Sequence, residues 1–433
     1  MLASVNLKNF KSFRDATLPF AQLTLLIGPN ASGKSNAIEA LQFLSWMANG
    51  RRLSDIEGAI RERDLALRGG VTDLCRYPGE DRCFEFAVTI ADAPRLAWQI
   101  RLQSQDEGLR ITSESLSSDD TRLHLYSVVQ PASDFGYEMQ VEYNNFARGG
   151  IKPQIACVDQ QPVFTQLTTP ARFAAGHERS QKEIPRAARR LQESLDKILF
   201  LDPVPARMRG YSHRIERRLR GDGANLSAVL HHLTEDLEKK VEILDFVRHL
   251  PEQSIDDVTY HVTPRGEVMV RLQETFGGEQ THRDAAVLSD GTLRVLSIAA
   301  ALWSVAEGST VVIEEIDNGV HPSRAERLLS AIRQVAGQRQ LRVLITTHNP
   351  ALQDAVPDSA LPNVLYCYRD PATGESRITR LEEIPGYPEL AARGSLGDLV
   401  TSGTIDRHVK ARASEDEIRA QRLEWLQRFS AAQ

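Results

Sequence analysis

Leu23-Thr-Leu-Leu-Ile-Gly28-Pro-Asn-Ala-Ser-Gly33-Lys34-Ser35-Asn-Ala-Ile38 is the stretch that decides the fold. Leu23 to Ile27 is a nearly continuous apolar run, the pattern of a strand buried on both faces. From Ser35 to about Met47, Ala37, Ile38, Leu41, Leu44 and Trp46 recur at helical spacing. Between strand and helix lies Gly, four residues, Gly, Lys, Ser, the spacing of a phosphate-binding loop in the context that loop requires. Glycines let the backbone wrap so that its amides point at phosphate oxygens, and the helix amino terminus adds partial positive charge. Gly28, Pro29, Asn30, Ala31, Ser32, Gly33, Lys34, Ser35 and Asn36 are therefore the expected nucleotide contacts. Lys34 would reach the β and γ phosphates as a point charge, and the Ser35 hydroxyl would take one site on Mg²⁺. ATP and Mg²⁺ are the expected cofactors.

Further along, Ile313-Glu-Glu-Ile-Asp-Asn-Gly-Val-His-Pro322 sets two adjacent acids directly after the buried run Val311 to Ile313. Burying carboxylates costs several kcal/mol unless they have a partner, and a metal and an attacking water supply one. Glu314 is expected to hold Mg²⁺ through its hydration shell, and Glu315 to act as general base on water. A second apolar strand ends at His348, a position from which an imidazole could sense the γ-phosphate; a lone histidine also serves as a structural residue. Upstream, Leu288-Ser-Asp-Gly-Thr-Leu-Arg294 opens a helix, so Ser289 and the amides near Gly291 offer a second anion-binding terminus or an ordinary helix cap.

Order makes these signals one: phosphate loop, long insertion, Ser-Asp-Gly-Thr helix, acidic strand end, strand-terminal His. These residues resemble the ABC-type ATPases of the structural-maintenance-of-chromosomes, RecF and overcoming-lysogenization-defect (OLD) group. The resemblance covers the phosphate-loop and carboxy-terminal lobes. It implies an α/β P-loop NTPase head of ABC type, with an antiparallel β subdomain and a helical insertion. It also implies that the Leu288–Thr292 signature of one subunit closes over ATP on the Lys34 loop of another, giving an ATP-gated homodimer. In the group, Asn9-Phe-Lys-Ser-Phe13 corresponds to a segment that helps line the adenine pocket; core packing of Phe10 and Phe13 explains it as well. Asp290 stands where transporters usually carry Gly, and Glu314 where Asp is more usual. Only a short tail without Asp-x-Asp follows His348, so no nuclease activity is expected of this chain. Standalone relatives act in genome maintenance or phage defence, often with a separately encoded nuclease or other effector.

The chain has 433 residues, 41% of them hydrophobic, and a formal charge of −6, so an anionic partner needs a local basic surface. Residues 172–220 supply one, with Arg186, Arg189, Arg190, Arg214, Arg217 and Arg218 as candidate DNA contacts; a solvated helical face would carry the same charges. Cys75, Cys83, Cys157 and Cys367 have no paired spacing, which fits a reducing cytoplasm. No membrane segment is expected. The expected organisation is an ATPase lobe with its β subdomain at 1–160, a helical insertion at 161–260, a second ATPase lobe at 261–405 and a carboxy-terminal helix at 406–433. Leu2 to Asn9 is expected to form an edge strand.

Overall fold

The computed structural model describes residues 1–62, 65–76, 82–105, 108–133, 136–248, 255–276, 278–316 and 325–410. Of the expected carboxy-terminal helix at 406–433, residues 411–433 lie outside them. The chain divides into two units, with the strand Leu23–Ile27 shared between them and split after Leu25. All five of that strand's residues are buried, as its unbroken apolar run requires.

One unit holds Ala3–Pro19, Leu26–Asp196 and Val364–Gln433. Its strands run in the order Val364–Arg369, Ser376–Arg380, Phe13–Pro19, Leu2–Phe10, Cys83–Ile90, Leu96–Gln105, Gly108–Ser118, Tyr126–Gln130, Glu138–Tyr143, Gln154–Val158. From Cys83 to Val158 the order is sequential and antiparallel, the expected β subdomain. Leu2–Phe10 is a strand, but it lies between Phe13–Pro19 and Cys83–Ile90 and is not an edge. Alternation reports that one face is packed and says nothing of how many strands flank it.

Beneath this sheet Glu114 is fully buried. It accepts from the Trp98 indole at 2.9 Å, the Tyr126 hydroxyl at 2.7 Å and the Val163 amide at 2.7 Å. Burial pushes its carboxyl up to about 7 against these donors. The helix Glu178–Asp196 packs on Lys34–Ala48. The last strand of the order, Gln154–Val158, has its backbone dressed by side chains: Arg172 donates to Ala156 O at 2.5 Å, Gln166 accepts from Val158 N at 2.9 Å and donates to Val158 O at 2.8 Å. These bonds occupy groups that an unpaired strand would offer to another chain.

The other unit holds Met1–Leu2, Phe20–Leu25 and Lys197–Asn363. Its parallel strands are Leu199–Leu201, Thr310–Ile313 and Arg342–Thr346, in register Leu201, Ile313, Ile345. The short apolar run of Thr310–Ile313 is buried at every position, and the helix Asp290–Ser304 precedes it. A second sheet has Glu267–Phe276 at its centre, paired antiparallel with Ser212–His213, Ile255–Val262 and Glu279–Asp284. The helices Leu226–Thr234 and Leu237–Arg248 belong here too. Residues 161–260 thus contribute strands as well as helices, and pass from one unit to the other at Lys197.

Candidate functional site

In the first unit the phosphate loop is shaped by what lies behind it. Gly28 has φ +143°, and a Cβ there would lie 2.0 Å from the backbone oxygen of Cys367. Gly33 has φ +118°, and its Cβ would fall 2.4 Å from the Ser376 hydroxyl. Both positions accept only glycine. The hairpin Val364–Arg369/Ser376–Arg380 binds the loop's carbonyls: Ser376 Oγ donates to Ser32 O at 2.5 Å, Cys367 Sγ to Ser32 O at 3.4 Å, and Arg369 Nε to Ala31 O at 3.2 Å. Burial lifts the Cys367 thiol to about 11, so it stays protonated at neutral pH.

Lys34 opens the helix Lys34–Ala48, and its ammonium donates to Gly28 O at 2.6 Å and Pro29 O at 3.0 Å. This curls the charge over its own loop, within reach of anything the loop holds. Ser35, in the first turn, is exposed. Asn36 donates to Ser12 Oγ at 2.7 Å, and Ser376 Oγ reaches the same hydroxyl at 2.8 Å. Ser12 lies in the Asn9–Phe13 segment, whose Phe10 and Phe13 are buried, Phe10 with its ring 5.2 Å from Phe86. That segment packs the core and buttresses the loop. Lys11 forms an ion pair with Glu39, buried on the loop's helix.

In the second unit the acids leave the strand Thr310–Ile313. Glu314 N donates to Leu201 O at 2.9 Å, and Glu315 N to Thr346 Oγ1 at 3.2 Å. Glu315 has φ +46°, a left-handed conformation that costs a non-glycine residue of order 1 kcal/mol or more. Strain of this kind concentrates where a side chain must be aimed. Ile313 and Ile345 are partners in register, so Glu314 and Glu315 emerge beside Thr346 and Thr347, with His348 exposed next along the chain. Asp202 leaves the third strand of the same edge. Its carboxyl is raised by partial burial and by the charge of Glu315, with Arg294 opposing. In the sequence, residues 202–205 read as a break between helices, which hides this acid. The remainder of the acidic motif, 317–322, lies outside the described residues.

The signature also belongs to this unit. Ser289 caps the helix Asp290–Ser304, its hydroxyl accepting from Thr292 N at 3.1 Å. Asp290 is paired with Arg209 at 2.5 Å, and the same guanidinium donates to Leu288 O at 2.7 Å and Ala286 O at 3.1 Å. Gly291 is half-buried in the first turn. Arg209 is a second residue whose link to the site no sequence pattern announces, since it stands about eighty positions from this turn.

Residues 84–354, more than half the chain, match the family described as "AAA domain, putative AbiEii toxin, Type IV TA system", and residues 1–67 match "AAA ATPase domain". The chain belongs to this AAA-domain ATPase family. Parts of the chain are also similar to RecF and SMC proteins. It is 36% identical over 72 residues to the DNA replication and repair protein RecF of Gloeothece citriformis, covering 16% of this chain and 17% of that protein. It is 25% identical over 204 residues to the Structural maintenance of chromosomes protein 1 of Caenorhabditis elegans, 45% of this chain and 15% of that protein. The chain therefore spans less than a fifth of the length of these curated relatives. A crystal structure of the SmcHead bound to the C-winged helix domain of ScpA aligns over 88% of this chain and 99% of its own, at 12% identity and TM-score 0.49.

An AAA ATPase phosphate loop implies nucleotide with Mg²⁺, and the residues present fit both. The glycine cradle has no room for a Cβ, the loop carbonyls are bonded from behind, and the Ser35 hydroxyl beside them is an oxygen donor of the kind a hard cation takes. Among the described residues no group of three or more His, Cys, Asp or Glu could hold a metal ion. No helix among the described residues is long and apolar enough to cross a membrane.

Proposed function

We propose that the chain binds Mg-ATP on Gly28–Ser35 and hydrolyses it slowly, using the nucleotide to close a homodimer that signals to a partner. The observation that carries this is the loop itself: two glycines with no room for a side chain, carbonyls tied back by Ser376, Cys367 and Arg369, and the Lys34 ammonium poised above. Lys34 stabilises charge on the β and γ phosphates, and Gly28, Pro29, Asn30, Ala31, Ser32, Gly33 and Asn36 shape the cradle. Ser35 and Glu314 would hold Mg²⁺, which when bound would neutralise phosphate charge. Glu315, aimed by its left-handed backbone, accepts the proton of the attacking water, and His348 contacts the γ-phosphate end.

Dimer closure is supported by the exposure of Val287, Ser289 and Asp290 at the signature turn, a patch that suits a second copy of this chain. The downstream roles proposed are DNA-related genome maintenance or phage defence in the cytoplasm, with a separately encoded effector. A second reading, ATP as a glue for assembly without significant turnover, is favoured by one observation: the Ser289 hydroxyl and the Asp290 carboxylate are already engaged within their own chain.

ATP turnover of the wild type, Lys34→Ala and Glu315→Gln, measured with the mass in solution, tests the proposal. Loss of turnover in both variants, with an ATP-dependent dimer retained by Glu315→Gln, is the expected result. Turnover indifferent to Glu315→Gln would leave the assembly reading, and a mass unmoved by ATP would remove the dimer.

A further inference from the structure

A cavity of about 290 Å³ lies in the second unit, lined by Lys197, Leu199, Arg217, Arg218 and Leu219 on one part and by Ser304, Val305, Ala306 and Ser309, from the turn after the helix, on the other. Its charged side chains are all cations. Two serine hydroxyls, Ser304 and Ser309, and the apolar side chains of Leu199, Leu219 and Val305 complete the wall. The volume is near the lower end of the range for small-ligand sites. The turn follows the carboxy terminus of the helix Asp290–Ser304, an end that would repel an anion. That end is neutralised: Arg339 donates to Leu302 O and, at 3.0 Å, to Val305 O.

Position separates this cavity from the acids. Leu199 begins the strand that ends before Asp202, and Ser309 precedes the strand that ends before Glu314. Four residues of strand at about 3.3 Å each put roughly 13 Å of sheet between the two ends. Nucleotides bind open α/β sheets at the carboxyl ends of the strands, so a cationic cavity at the amino ends is a second place for anions. In a chain of net charge −6, three cations lining one cavity favour an anionic ligand there.

We propose that Lys197, Arg217 and Arg218 form a phosphoryl-binding site separate from the phosphate loop. Guanidinium groups bind phosphate oxygens in pairs, and Lys197 adds a point charge. The phosphoryl group comes from a nucleic-acid backbone or from a free phosphorylated compound. The first source rests on the nucleic-acid partner proposed above; the second does not.

The test uses the full chain carrying Lys34→Ala, so that the phosphate loop is weakened as a competitor. Pyrophosphate binding is followed by calorimetry and binding of a labelled duplex of about 20 base pairs by anisotropy, the latter across a salt series. The expected result is that adding Lys197→Ala, Arg217→Ala and Arg218→Ala weakens at least one probe tenfold or more. For the duplex, the salt slope should also fall by about 0.9 for each phosphate that the variant no longer neutralises. Arg186→Ala with Arg189→Ala should change either by less than about twofold. Loss of pyrophosphate binding alone assigns a free phosphorylated ligand, and loss of duplex binding alone a backbone. The charge-conserving Arg217→Lys/Arg218→Lys chain should lose the paired guanidinium contacts yet bind more tightly than the triple alanine variant, which separates charge from misfolding. Binding of both probes unchanged by the triple substitution, or absent from the parent, overturns the site. Basal ATP turnover of the triple variant with Lys34 intact should equal wild type, so failure of the ATPase reading is scored separately.

Discussion

The two units present their candidate site residues in opposite ways. In one, nine consecutive residues from Gly28 to Asn36 make the cradle, and distant chain only stiffens it from behind. In the other, Asp202, Glu314, Glu315 and His348 come from the ends of three parallel strands, so the group exists only after the sheet has formed. A contiguous loop tolerates change around it and fails when its own backbone is altered. An assembled strand-end site depends on side-chain identity more than on local conformation, with Glu315 the exception that depends on both.

Lys34→Ala should give the largest loss, turnover falling by two or more orders of magnitude with weaker ATP binding, read by steady-state hydrolysis and nucleotide titration. Glu315→Gln should lower turnover by about 10²-fold or more while ATP binding persists, the split that marks an assembled chemical group rather than a cradle. Comparable loss of ATP affinity in both variants would break the contrast. Gly28→Ala should cost nucleotide affinity and thermal stability together, because its Cβ meets backbone; Gly33→Ala should be the milder of the two, because its Cβ meets the Ser376 side chain. Adding Ser376→Gly to Gly33→Ala should recover part of the loss, the φ penalty remaining.

Glu114 supplies a pH test of the first unit's core. Its folded value of about 7 lies above the ordinary 4.5, so between those values the folded chain keeps a proton that the unfolded chain releases. The stabilising effect of this group is therefore full below about pH 4.5 and falls as pH rises to about 7, by up to ~3 kcal/mol at ~1.4 kcal/mol per unit. Urea midpoints at several pH values should show the slope, and Glu114→Gln should flatten it while lowering stability throughout, since an amide N–H would face the Val163 N–H donor. The smallest effect is expected from Asp202→Asn, which should move ATP turnover by less than about tenfold, in keeping with a neighbour of Glu315 rather than the base itself.

Legibility followed the same division. The phosphate loop, its strand and its helix could be read directly because motif and flanking pattern are local. The buried strands Thr310–Ile313 and Arg342–Thr346 announced themselves as apolar runs ending in polar residues. Asp202 did not, because its strand is three residues long and is followed by two prolines, which read as a break. Ser376 and Cys367 stand more than 330 residues from the loop they support, beyond any local pattern. The basic stretch looked like one feature; its cations divide between a helix whose arginines bind backbone carbonyls and a cavity in the other unit.

The Gln166 and Arg172 side chains on the strand Gln154–Val158 carry a practical consequence. By answering Val158 N–H, Val158 C=O and Ala156 C=O within the chain, they leave the sheet margin with fewer hydrogen-bonding groups to template fibril growth. A concentrated stock of the wild-type chain should stay clear in storage, whereas Gln166→Ala with Arg172→Ala should turn turbid.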